Sequence, residues 1–177
     1  MEFEIAPMVS VLTGTFCAII APEDLVIPAL NNPENGRYLS LYLAGTTSGI
    51  LPALRKLPGN MEVRRSVSPG QLAAEIRAVR HSILFVEHDP SLYAGEEDAA
   101  SIADALKGAS ESTVVVLYAP GADPWFDLIQ SHADQVYFFR EQPVLPQDTS
   151  RQMHPSRKLP GTGKGQITLE GFFTEVS

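Results

Sequence analysis

The sequence predicts an α/β fold, a three-layer sandwich in which a mostly parallel sheet lies between helices. Short apolar segments rich in β-forming residues alternate with segments of helical periodicity about five times along the chain. Two of these apolar segments, 81–86 and 113–118, are almost unbroken. Such runs are typical of parallel strands that are covered on both faces. Sites in folds of this kind lie at the carboxyl ends of the strands.

The first half of the chain contains three predicted strands and two predicted helices. The strands cover 14–21, 38–43 and 62–67. A short, irregular helix over 23–30 contains Pro28. The second helix begins at the possible N-caps Thr46, Thr47 and Ser48 and ends at Pro58-Gly59. Its apolar positions are Ile50, Leu51, Leu54 and Leu57.

The second half has clearer signals at the ends of its helices. Ser68-Pro69-Gly70-Gln71 is a capping box that opens a helix, followed by the strand at 81–86. Glu96 to Lys107 has apolar residues at helical spacing, and Gly108 is placed to stop that helix before the strand at 113–118. Asp123-Pro124 caps a helix that runs to Ser131, and 135–139 is predicted as a last core strand.

Composition divides the chain into three parts. Residues 1–142 form the predicted α/β domain and carry 18 of the 21 acidic residues but 9 of the 13 basic ones. Residues 143–165 are predicted as a basic linker interrupted by prolines, and 166–177 as a terminal strand or hairpin.

The overall balance of charges and cysteines excludes several classes of protein. A net charge of −8 disfavours a general nucleic-acid or membrane-surface binder. The single cysteine, Cys17, excludes an intrachain disulfide framework and is predicted to be a small core residue. No apolar run is long enough to span a membrane, and the N-terminus is acidic where a signal peptide would be basic. We therefore expect a cytoplasmic protein with no membrane contact.

The order of the segments resembles the RecA/KaiC-like branch of the P-loop ATPases. The segment 13–20 is similar to the strand that leads into the phosphate loop of that family, and Ile83–Glu87 is similar to its Walker B strand. Asn35–Leu43, Thr113–Tyr118 and His132–Phe138 are similar to its other core strands. The resemblance covers residues 10–140 and implies a RecA-like sheet.

The phosphate loop itself is missing from this resemblance. The motif needs glycines, a lysine and a following hydroxyl, but Ala21–Pro28 contains no glycine, with Ile27 and Pro28 at the lysine and hydroxyl positions. Glu23 and Asp24 would stand beside the phosphates, at a cost of roughly 4 kcal/mol per contact at ~4 Å. Pro160-Gly161-Thr162-Gly163-Lys164-Gly165 looks like a phosphate loop but lacks its spacing and its Ser/Thr. The sequence thus predicts a pseudo-ATPase that needs no cofactor.

The strongest candidate chemistry follows the strand at 81–86. By the resemblance, Glu87 stands where an acid would orient Mg²⁺ or water. While the strand continues, its period of two places Asp89 on the same side as Glu87 and His88 on the other side. The favoured interpretation is a solvated acidic strand end without catalytic or metal-binding function. The competing interpretations are a residual ligand crevice and an acid–base or metal centre.

Three functions are compatible with these observations. The first is a non-catalytic domain that regulates or assembles with a protein partner or with further copies of itself, as the resemblance implies. The second is an atypical nucleotide-binding protein or ATPase with a site rebuilt around Glu87 and Asp89. The third is a nucleic-acid-associated accessory protein that uses the basic tail residues Arg151, Arg157, Lys158 and Lys164.

Overall fold

The computed structural model describes residues 2–6, 9–54 and 59–139, and it confirms the three-layer α/β fold. Six parallel strands form the central sheet in the order β5-β4-β6-β7-β3-β8. The strands of this sheet are β3 (Phe16–Ile20), β4 (Ser40–Ala44), β5 (Met61–Arg65), β6 (Ile83–Glu87), β7 (Val114–Ala119) and β8 (Gln135–Phe138). The predicted linker 143–165 and terminal strand 166–177 lie outside the described residues.

Four α-helices cover the sheet, and three of them share one face. The helices are α1 (Glu23–Leu30), α2 (Pro69–Arg77), α3 (Glu96–Ser110) and α4 (Pro124–Gln130). One core cluster joins α2, α3 and α4 to strand residues such as Leu84 and Leu117. A second cluster joins α1 to the opposite side of the same strands, including Phe85 and Tyr118. This alternation of inward and outward residues follows from the period of two along each strand.

An antiparallel hairpin precedes the sheet and was not predicted from the sequence. It consists of β1 (Glu2–Ala6) and β2 (Val9–Leu12), whose register shifts between Glu4 and Ala6. Val11 of β2 is fully buried in the core cluster of α1. The hairpin therefore belongs to the layer formed by α1.

Helix caps form where the sequence predicts them in α2 and α4. Ser68 Oγ accepts a hydrogen bond from the backbone N–H of Gln71 at 3.2 Å. Asp123 Oδ1 accepts from the N–H groups of Trp125 and Phe126 at 2.8 and 3.0 Å. Because a cap satisfies N–H groups that have no partner in the helix, both helices begin at the expected residue.

Three predictions of local structure are wrong. No α-helix follows Ser48 in the described residues; Leu51–Ala53 is a single 3-10 turn, because Pro52 lacks an N–H and the preceding amides bond elsewhere. Helix α3 continues past Gly108 to Ser110, since Ala109 and Ser110 are buried. Within the described residues, strand β8 is an edge strand and not a core strand, because it pairs there with β3 alone.

The topology creates a crevice between the carboxyl ends of β4 and β6. The chain leaves β4 toward the α1 face, where Ile50 and Leu54 enter the core, and leaves β6 toward the opposite face, where α3 lies. Adjacent strands whose connections diverge in this way define a topological switch point, the usual place for a ligand in an open α/β sheet.

Candidate functional site

The acidic segment at the end of β6 lies at this switch point but is not solvated. Glu87, His88 and Asp89 are only 6%, 7% and 3% exposed. The prediction of a solvated strand end is therefore wrong. Buried ionisable groups need compensating partners, and the surrounding segments supply them.

Glu87 binds the segment that follows β4. Its Oε2 accepts hydrogen bonds from the Tyr42 hydroxyl at 2.5 Å and from the Ser48 hydroxyl. Its Oε1 accepts from the backbone N–H groups of Gly49 and Ile50 at 2.8 and 3.4 Å. Burial, followed by the charge of Glu87, raises the pKa of Tyr42 well above its usual range, so the phenol stays a donor. All four contacts come from this chain, and both carboxylate oxygens are engaged.

Asp89 fastens the start of the same segment, which we call the β4 loop (residues 45–50). Its Oδ2 accepts from the hydroxyls of Thr46 and Thr47 at 3.3 and 3.2 Å and from the Thr47 N–H at 3.3 Å. Its Oδ1 accepts from the N–H and hydroxyl of Ser91 at 3.0 and 2.6 Å. Burial pushes the pKa of Asp89 upward, but the hydrogen bonds from Ser91 and Thr47 together hold it below its usual range.

Two glycines let the β4 loop lie close to neighbouring carboxylates, Gly45 to Asp89 and Gly49 to Glu23. A Cβ atom on Gly45 would lie 2.5 Å from the Cβ of Asp89 and 2.7 Å from its Cγ. A Cβ on Gly49 would meet the carboxylate of Glu23, with Cδ at 2.9 Å. The loop therefore fills the crevice between β4 and β6 with protein backbone.

His88 points to the other face of the sheet, as the strand period predicts. Its Nε2 lies 2.7 Å from Asp123 Oδ2, and its Nδ1 lies 3.4 Å from the Tyr93 hydroxyl. The ring stacks on Tyr93 and meets the edge of Phe126. Burial lowers the pKa of His88, although Asp123 and Asp89 oppose this. The neutral ring can thus accept from Tyr93 and donate to Asp123.

The turn after β3 has none of the features of a phosphate loop. Pro22 precedes α1 without a side-chain cap, and the first turn of the helix carries Glu23 and Asp24. The Tyr118 hydroxyl donates to the carbonyl oxygen of Ala21 at 3.1 Å, which ties β7 to this turn. The positive end of the α1 dipole is thus already matched by two carboxylates of the chain.

The remaining candidate residues are not grouped with other reactive side chains in the described part of the chain. Cys17 is fully buried, as predicted, and burial raises the pKa of its thiol to about 12. Across residues 2–6, 9–54 and 59–139, no group of three His, Cys, Asp or Glu residues is arranged to hold a metal ion. The tail residues Arg151, Arg157, Lys158 and Lys164 lie outside the described residues.

Sequence reasoning found the two carboxylates but missed the groups that bind them. Tyr42, Ser48 and Gly49 come from a strand and a loop about forty residues earlier, and the pairing of β4 with β6 brings them into contact. The available signal was the hydroxyl run Thr46-Thr47-Ser48 directly after a buried strand. The same run is typical of the N-caps of a helix, and the sequence alone therefore predicts a helix there.

None of the helices in the described part of the chain combines the length and the apolar character needed to cross a membrane. No family model matches the chain. The chain is similar to a protein of Archaeoglobus fulgidus described as uncharacterized, with 28% identity over 171 residues, which covers 90% of this chain and 83% of the relative.

Proposed function

We propose that this protein is a non-catalytic RecA/KaiC-like domain that acts as a regulatory or assembly partner through protein–protein contacts. The observation that carries the proposal is the engagement of Glu87, which accepts four hydrogen bonds from Tyr42 and the β4 loop. An acid that orients Mg²⁺ or water must present free oxygen atoms to a ligand. Here the oxygens hold the chain's own loop.

The turn after β3 gives independent support. A bound triphosphate would meet Glu23 and Asp24 at the start of α1 in place of a lysine. The loss of one charge-assisted lysine contact removes roughly 1.5–3 kcal/mol of binding energy, and the two carboxylates add repulsion. Both effects oppose nucleotide binding at the position that the resemblance assigns to it.

The sheet is compatible with the resemblance. The strands that resemble the phosphate-loop strand and the Walker B strand are β3 and β6, and both lie inside one parallel sheet. This sheet supports common descent with ATPases, while the residues at its carboxyl edge support a function other than ATP hydrolysis.

Because the β4 loop occupies the crevice, we favour contacts with another macromolecule over the binding of a small ligand there. The competing function is a nucleotide site rebuilt around Glu87 and Asp89, which would require the β4 loop to leave both carboxylates. A nucleic-acid role through the basic tail is a third possibility, which rests on Arg151, Arg157, Lys158 and Lys164.

Thermal unfolding with nucleotides separates the first two functions. The full chain is melted with and without ATP, ADP or GTP and excess Mg²⁺, and ATP hydrolysis is measured in parallel. A ligand at 100-fold excess over its Kd stabilises the native state by about 2.7 kcal/mol, which would raise the Tm by about 5–10 °C for a chain of this size. We expect no shift and no hydrolysis.

A second arm tests the partner role itself. The tagged full chain is isolated from cells of its source organism at its natural level, and its complexes are sized and quantified by mass spectrometry. We expect a stoichiometric protein partner or a defined oligomer. A nucleotide-dependent rise in Tm, or a monomer without a stoichiometric partner, would contradict the proposal.

A further inference from the structure

A groove of about 290 Å³ lies on the far side of the domain from Glu87 and Asp89. It is formed where α2 and α3 end, before the chain enters β6 and β7. Its lining residues are Arg77, Val79, Arg80, Asp104, Ala105, Gly108, Ala109 and Ser112. The groove belongs to the amino edge of the sheet and is separate from the β4 loop.

Two exposed arginines of this groove have no carboxylate partner in the described part of the chain. Arg77 Nη2 donates to the Ser101 hydroxyl at 3.2 Å, and Arg80 Nη1 donates to the carbonyl oxygen of Val79 at 2.8 Å. By contrast, Arg37, Arg64 and Lys107 each lie within 4 Å of a carboxylate. In a chain of net charge −8, this groove thus brings together two guanidiniums that no described carboxylate pairs with.

The opposite wall leaves room for a ligand. Ala105, Gly108 and Ala109 expose little side-chain bulk, and a Cβ on Gly108 would meet no atom within 4 Å. Among the described residues, Asp104 is the one acidic residue of the lining, and its Oδ1 lies 3.6 Å from His132 Nδ1. The groove therefore offers two cationic groups and one acid.

The ends of α2 and α3 weigh against a compact dianion such as phosphate. Helix C-termini contribute carbonyl groups with partial negative charge, which oppose every anion, and they oppose a dianion more than a singly charged carboxylate. A carboxylate needs only the two parallel N–H groups of one guanidinium. Arg77 and Arg80 can thus each bind one carboxylate.

We infer that this groove docks an acidic segment of a partner protein, with carboxylates on Arg77 and Arg80. The inference rests on the proposed function and names the chemistry of its partner. The domain that carries the groove is acidic overall and repels an acidic partner at long range, so the attraction in this groove comes from the contacts with Arg77 and Arg80 themselves.

The test uses the full chain and fluorescence polarisation with two labelled peptides. One peptide alternates glutamate and alanine, and the matched peptide has glutamine in place of glutamate. We expect the glutamate peptide to bind at least about tenfold more tightly at low salt, since charge-assisted bonds are the stronger ones. Arg77→Gln/Arg80→Gln together should lose that preference, and Asp104→Asn should strengthen binding.

Arg37→Gln is the matched control, because Arg37 is exposed and lies outside the groove lining. Circular dichroism of each variant verifies folding. Equal binding of both peptides, unchanged binding by the double variant, or an equal loss in Arg37→Gln would overturn the inference. If inorganic phosphate displaced the labelled peptide at a lower concentration than the unlabelled glutamate peptide does, the inference would be overturned in favour of a phosphate ligand. The nucleotide melting experiment does not involve this groove, so the two proposals fail separately.

Discussion

Glu87 and Asp89 show how burial changes the role of an acidic residue. A carboxylate that is nearly inaccessible to water is stable only when hydrogen bonds replace its hydration, and the β4 loop supplies most of them. The sequence identifies the acids and their side of the strand. It cannot identify the loop that binds them, because that contact depends on the packing of β4 against β6.

Alanine substitutions at the two glycines of the β4 loop should lower the stability of the native state by different amounts. Gly45→Ala should destabilise the native state by about 1–3 kcal/mol, since the new Cβ would collide with the Cβ of Asp89, which cannot move without the backbone. Gly49→Ala should cost less, because it meets the flexible carboxylate of Glu23. Urea unfolding followed by Trp125 fluorescence measures both.

Gly121→Ala is a suitable control, as Gly121 is exposed and a Cβ there would meet no atom within 4 Å. Equal destabilisation by Gly45→Ala and Gly121→Ala would show that the loop does not lie against Asp89. The crevice between β4 and β6 would then not be closed by this contact.

His88 should make stability depend on pH in a defined direction. Burial holds its pKa in the folded state below the ordinary value of about 6.5. The unfolded chain therefore binds a proton first as the pH falls, so the free energy of unfolding should decrease from about pH 7.5 to pH 5.5. The lowered pKa of Asp123 adds a further loss in more acidic solution.

Urea unfolding at several pH values tests this dependence. His88→Gln keeps a donor for Asp123 but removes the titration, and should flatten the profile over this range. If His88→Gln keeps the pH profile of the wild type, His88 is not the group responsible.

At the scale of elements, local signals predicted α1, α2, α4 and most strands within a few residues. The predicted helix after Ser48 failed because two of its first amides bind Glu87, a tertiary contact that outweighs local propensity. The hairpin β1–β2 was missed, although residues 2–5 and 9–11 alternate polar and apolar side chains as half-buried strands do.

The cap of α4 should contribute more to the free energy of unfolding than an ordinary surface contact does. Asp123→Ala removes the oxygen that accepts from two backbone N–H groups and also the partner of His88, so we expect a loss of roughly 1–2 kcal/mol or more in urea unfolding. Asp127→Ala, in the exposed first turn of the same helix, should change stability much less. Similar losses for the two variants would contradict this assignment.

At the scale of the whole molecule, the alternation of segments was enough to predict a parallel sheet between helices. The order of the strands was not predictable, because it depends on which side each connection takes. That order puts β4 beside β6 and β7 beside β3, and so decides that the β4 loop meets Glu87. The same topology places the Arg77–Arg80 groove at the opposite edge.

Amide hydrogen exchange of the β4 loop tests the central claim most directly. We predict that the amides of Gly49 and Ile50 exchange slowly, that Mg²⁺ with ATP does not change their rates, and that Glu87→Gln accelerates them. Fast exchange in the wild type, or acceleration when Mg²⁺ and ATP are added, would contradict the claim. It would show that Glu87 is free to leave the loop for a ligand.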